Sequence, residues 1–173
     1  DAGLDALWAA AEAHGLTVML HPAYNNPHPG LDGYHLQNAI GNQLETTVAA
    51  ERLIVTGVLD RHPGLRLLLV HAGGYLPWQA GRLRHAASVR EELAQSPPDP
   101  YDYFGRIVVD TITHDAAALR FLVERVGAGN VAMGTDLPFD MATPEPVAAL
   151  EEALDAETAR RIMEDTPARL FGL

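Results

Sequence analysis

Short runs of β-forming residues alternate with helix-spaced apolar positions along this 173-residue chain, and each of four such runs is followed by a helical pattern. That order is the signature of βαβ units, in which parallel strands are joined by crossover helices. The runs are Thr17-Val-Met-Leu20, Arg66-Leu-Leu-Leu-Val70, Ile107-Val-Val-Asp110 and Val131-Ala-Met133. Helices are predicted over residues 4–14, 44–61, 78–95 and 115–126, with two further amphipathic helices at 145–154 and 157–164 and a last turn over 166–171. Gly15 supplies the left-handed cap of the first helix, and Pro22, which has no N–H to donate, ends the first strand. Residues 23–42 are rich in Asn, Pro and Gly and read as a loop. At roughly 20 residues it exceeds an ordinary βα connection, and loops of that length in compact domains carry function. Ser96-Pro-Pro-Asp-Pro100 breaks the chain before the third run. No linker or low-complexity tract intervenes, so residues 1–173 are expected to form one unit.

A closed eight-stranded barrel needs about 250 residues. Four βα units therefore make half of one, and the fold class expected is α/β, half of a TIM-like (β/α)8 barrel with extra C-terminal helices. The chain opens with Asp1 rather than Met and enters at once the amphipathic pattern Leu4, Leu7, Trp8, Ala11. Either a preceding half is absent or the half-barrel completes itself against another chain.

Composition narrows the chemistry. With 47% apolar residues the chain can bury a core, and 12 basic against 23 acidic residues, a net charge of −11, argue against a phosphate-backbone partner. There is no cysteine, so any metal must be held by His and carboxylate. No apolar run approaches the roughly 20 residues of a membrane span. No basic region precedes an apolar one at the start, and a cytoplasmic protein is expected.

In parallel α/β folds, ligands bind at the carboxyl ends of the strands, so a polar residue one step past an apolar strand is a candidate for function. His21 follows Leu20, His71 follows Val70, and Asp136 follows Met133-Gly-Thr135. Each alone is also compatible with a structural role, as a strand-end cap or turn residue. Their common register on successive strands is what favours a shared site. Imidazole and carboxylate without thiolate suit Zn²⁺, Mn²⁺ or Fe²⁺. His114 stands at the mouth of the third strand and is a further lining candidate, while His28 and His35 lie in the long loop, from which a side chain could reach a substrate, and are not counted among the site residues. His14, His62 and His85, on helices or before proline, are expected to be structural. Gly127-Ala-Gly129 lacks a third glycine and follows a helix, so it does not form a nucleotide cradle.

Several stretches together resemble one family: His21-Pro22, Gly41-Asn-Gln-Leu-Glu-Thr-Thr47, Gly57-Val-Leu-Asp60, Arg61-His-Pro-Gly-Leu-Arg66, Val70-His-Ala-Gly-Gly-Tyr-Leu-Pro77, Gly81-Arg-Leu83, Gly134-Thr-Asp-Leu-Pro-Phe139 and Ala168-Arg-Leu-Phe-Gly172. In order and across nearly the whole chain they are similar to the amidohydrolase-related family that includes aminocarboxymuconate semialdehyde decarboxylase and aromatic-acid decarboxylases. The resemblance implies the C-terminal half of a TIM-like barrel, with His21 and Asp136 as metal ligands and Asp136 close to the reacting water. It implies His71 as the catalytic histidine and a divalent metal, zinc first and manganese or iron as alternatives. Arg90 matches an arginine that clamps a substrate carboxylate, often across a dimer interface. A small carboxylic acid substrate and a homodimer follow from the same likeness. One departure stands out: the family's His-x-His pair, at the end of its first strand, occurs nowhere in these 173 residues. The expected activity is metal-dependent decarboxylation of a small aromatic or unsaturated acid. Hydrolysis or hydration by the same groups is the alternative, as is a non-catalytic half-barrel whose missing ligands lie in an absent N-terminal half.

Overall fold

The structure, a computed structural model, describes residues 2–23, 28–96 and 99–173. Asp1, positions 24–27 of the long loop and the Pro97–Pro98 pair of the breaker lie outside the described residues. Four strands, β1 (Thr17–Leu20), β2 (Arg66–Leu69), β3 (Ile107–Asp110) and β4 (Val131–Ala132), form one all-parallel sheet in the order β1-β2-β3-β4. Their order in space follows their order in sequence. Pairing Leu20 with Leu69, Leu69 with Val109, and Val109 with Val131 fixes the register, so the four strands end near one level.

Between strands the chain returns through helices. The main ones are α1 (Asp5–Ala13), α2 (Asn42–Val55), α3 (Val58–Arg61), α4 (Leu76–Val89) and α5 (Ala116–Val126), and three short helices follow, α6 (Pro146–Ala153), α7 (Ala156–Arg160) and α8 (Thr166–Phe171). The helix expected over 44–61 divides at Gly57, whose φ of 68° cannot continue a right-handed helix. The one expected over 78–95 stops at Val89, because Arg90 is extended and only a single tight turn, Glu91–Leu93, follows. Within the long 23–42 segment the helical wind begins early, as a wide turn over Gln37–Gly41 that runs directly into α2.

Side chains alternate across a strand, and the two sheet faces have different fates. Leu67, Leu69, Ile107, Val109 and Val131 face the helices and form the main core with Ile54, Leu59, Leu76, Leu122, Leu150 and Ile162. Burial of each such side chain contributes roughly 1.5–3 kcal/mol. On the opposite face Val108 and Ala132 pack with Leu68 and with Leu170 of α8. There α8 is tied to the starts of the strands, since Thr17 Oγ1 donates to Leu170 O at 2.7 Å and Arg66 Nη1 to Arg169 O at 3.1 Å. The inner face is thus capped at its base and open at the strand ends. Met19, on that face of β1, remains 60% exposed.

The link from β2 into α4 is a close-packed turn. Gly74 has φ 63° and ψ −131°, and a Cβ there would lie 2.4 Å from the backbone oxygen of Gln43. Gly74→Ala should therefore cost about 3 kcal/mol or more, read as a lower urea midpoint with an unchanged slope.

Candidate metal centre

Each strand delivers one polar group to the open rim. His21 follows β1, His71 follows β2, Asp110 ends β3, and Asp136 lies beyond β4. His21, His71 and Asp136 converge: one ligating atom from each lies within 4.8 Å of the others. The His21 and His71 rings meet edge to face at 5.2 Å between centroids, and His71 Nε2 stands 3.7 Å from Asp136 Oδ2.

The histidines are oriented for this. His21 Nδ1 is 2.7 Å from the carbonyl of Pro22, which can only accept, so Nδ1 carries the proton and Nε2 keeps its lone pair. An imidazole fixed through its second nitrogen by a backbone carbonyl is the usual arrangement of a metal-bound histidine. His71 is 8% exposed, and its Nδ1 is buried with no hydrogen-bond partner among the described residues. The His21 nitrogen and an Asp136 carboxylate oxygen are donors that suit zinc, manganese or iron, so these two residues fit part of the shell of such an ion, with His71 beside them.

The turn after β2 brings His71 to the rim. His71 and Ala72 both have left-handed φ values, 55° and 57°, each costing a non-glycine residue on the order of 1–2 kcal/mol. Asp110 answers that cost. Its Oδ2 accepts from His71 N at 2.8 Å, and its Oδ1 accepts from Ala72 N at 2.7 Å and Ile112 N at 3.0 Å. Hydrogen bonds to a charged acceptor contribute roughly 1.5–3 kcal/mol each, enough to hold the strained turn. Burial pushes the Asp110 carboxyl above the usual carboxylate range, against the opposing pull of the three N–H groups and of His71. For His71 burial is again the largest influence and lowers its pKa, opposed by the charges of Asp110 and Asp136. Gly134 packs against Asp110, and Thr111 Oγ1 accepts from Gly134 N at 3.1 Å, so β4 is keyed to the same point.

A cavity of about 230 Å³ opens over His71 and Asp136. Asn38 from the wide turn, Asn42 and Gln43 from the start of α2, and Ile112, Thr113 and His114 beyond β3 line it. His114, left-handed at φ 55°, also borders a more open cavity of about 570 Å³ between α5 and α6. The lining role expected for His114 is therefore what its position gives. His28 is half-buried, His35 is exposed, and neither lines the smaller cavity. His62 is buried between Glu12 and Asp5, each 3.3 Å from a ring nitrogen, a tether of α1 to the β2 approach. Arg90 is not drawn to the rim: it follows the far end of α4, is exposed, and pairs with Glu92 at 2.7 Å. Two turns nearer the rim on the same helix, Arg82 lines a groove with Tyr75 and Gln79.

Asp110 was missed by reading only residues beyond the strands. Its signal was present, a lone carboxylate closing an otherwise apolar run. Asn38, Asn42 and Gln43 gave no such signal, because their place depends on where the helical wind begins inside the long loop.

The model of the amidohydrolase family matches residues 1–173. The 2-amino-3-carboxymuconate-6-semialdehyde decarboxylase of Dictyostelium discoideum is 32% identical over 174 residues, spanning 99% of this chain and 47% of that protein. Among solved structures, the apo IDCase of Metarhizium anisopliae superposes with a TM-score of 0.86 at 27% identity, covering 99% of this chain and 52% of its own. The 5-carboxyvanillate decarboxylase of Sphingomonas paucimobilis gives 0.83 at 28% identity, covering 96% and 52%. The chain spans about half the length of the relatives it matches.

Because its folded-state pKa is lowered, His71 in metal-free protein should titrate below the ordinary 6.5 in histidine NMR spectra. The unfolded chain takes up that proton first, so this contribution to stability is complete above the unfolded midpoint and declines as pH falls through it. A midpoint at or above 6.5 would mean that the charges of Asp110 and Asp136 outweigh burial.

Proposed function

Since the chain belongs to the amidohydrolase family, we propose that it is the C-terminal half of the barrel of a metal-dependent decarboxylase acting on a small aromatic or unsaturated carboxylic acid. The observation that carries this reading is the convergence of His21, His71 and Asp136 from three strands, the last two lining a cavity of about 230 Å³. The named relatives, decarboxylases of such acids, support it.

In this reading His21 and Asp136 hold a divalent cation, zinc first and manganese or iron as alternatives. When bound, the ion supplies Lewis acidity that draws negative charge from the substrate's oxygens. The remaining chemistry belongs to the chain. His71 Nε2, facing Asp136, is the group that moves a proton to the carbon bearing the carboxylate. The bond from that carbon to the carboxyl group then breaks, its electron pair returns to the π system, and CO₂ departs. Burial lowers the His71 pKa, so near neutral pH the ring is mostly neutral and must first take up the proton that it passes to carbon. Asn38, Asn42 and Gln43 would orient the acid from the α2 side.

The free edge of β1 and the exposed Met19 support a site completed by a preceding part of the barrel, and we take the working unit to be a cytoplasmic homodimer. Among the described residues no helix is long and apolar enough to cross a membrane. Arg90, exposed at the far end of α4, would reach a substrate carboxylate only in a neighbouring subunit.

Metal analysis of the full-length polypeptide should find about one zinc, manganese or iron per chain, and His21→Ala should weaken that binding about tenfold or more. With ortho-hydroxybenzoates and 2-amino-3-carboxymuconate-6-semialdehyde as probes, CO₂ release should fall by about 10²- to 10⁴-fold in His71→Ala while metal is retained. Lactone or amide turnover without CO₂ release would replace decarboxylation by hydrolysis.

A further inference from the structure

We propose that Asp110 is a positioning residue of this site, whose buried carboxylate holds the turn at His71 and Ala72 in the conformation that aims the His71 imidazole at Asp136. This rests on the reading of His21, His71 and Asp136 as the reacting centre.

Strand parity is the first ground. Leu67 and Leu69 of β2 face the helices in the core, and a strand continued regularly would send residue 71 to the same side. Instead the His71 ring lies against His21, with Nε2 3.7 Å from Asp136 on the adjacent side of the rim. His71 and Ala72 are the first two of four successive positive-φ residues through Gly74, and the reversal falls in this turn. The N–H groups of those two residues converge on one acceptor, and concavities of successive main-chain N–H groups are sites for an anion. Asp110 is that anion, supplied from the neighbouring strand.

A second ground lies on the other flank. A Cβ at Gly134 would sit 2.8 Å from Asp110 Cβ, so the glycine is what lets β4 close onto the carboxylate. Asp136 follows two residues later. A single side chain at the end of β3 therefore sets the places of both the histidine from β2 and the aspartate beyond β4. Asp110 is 5% exposed and does not line the cavity over His71, so it acts through His71 and not on substrate.

Asp110→Asn keeps size and shape but replaces one acceptor oxygen by an NH₂ group, so at least one of the three N–H groups must face a donor. In the full-length, Mn²⁺-loaded polypeptide, turnover should fall by about 100-fold while KM stays within roughly threefold. Mn²⁺ affinity, followed by electron paramagnetic resonance, should weaken about tenfold, and the His71 and Ala72 amides should exchange faster with solvent. Ile54→Val, a mild core change away from the rim, should lower thermal stability with turnover and Mn²⁺ affinity unaltered. If Asp110→Asn does not fold, Gly134→Ala, which presses on an intact Asp110, should give the same pattern. A folded variant with wild-type Mn²⁺ affinity and amide exchange would overturn the proposal. Those two readings need no substrate, so they decide it even where the decarboxylase reading fails.

Discussion

A parallel strand must be carried back to its starting end before the next can begin, and the rest of this molecule follows from that constraint. The crossovers consume helices α2, α4 and α5, these bury one face of the sheet, and all four strands end together. A polar group at one strand end could satisfy itself locally. Four of them at one level meet each other instead, and chemistry becomes concentrated on a single rim while the opposite end, under α8, serves only stability.

The strands were legible because their residues leave little choice: Arg66–Leu69 and Ile107–Asp110 are short, apolar and bounded by turn chemistry. His21, His71 and Asp136 were legible for a related reason, as charges placed where an apolar run stops. Helix ends were harder. Gly57 breaks a pattern whose apolar spacing continues on both sides, and Val89 ends one with no glycine to mark it. The Arg90 reading came from the family resemblance alone, and the structure places that residue just past the end of α4 in an exposed ion pair with Glu92.

What sequence could not supply was the direction of His71. Position along the chain brings it to the rim, but the regular alternation of β2 points it into the helix layer. The run of positive-φ residues that begins at His71 and the carboxylate of Asp110, 39 residues further on, reverse it. Backbone conformations of this kind are set by tertiary partners, not by local preference, so they emerge only when the partner strand is in place.

The close fit of Gly74 on Gln43 bears on how such a site can diversify. Gln43 lines the cavity, and its carbonyl carries both the Thr47 hydroxyl and the approach of Gly74. One wall of the mouth is thereby locked to the turn that presents the histidine. At Gln43 the backbone belongs to the same frame as that turn, so a change in its path is carried to His71 as well as to the cavity wall.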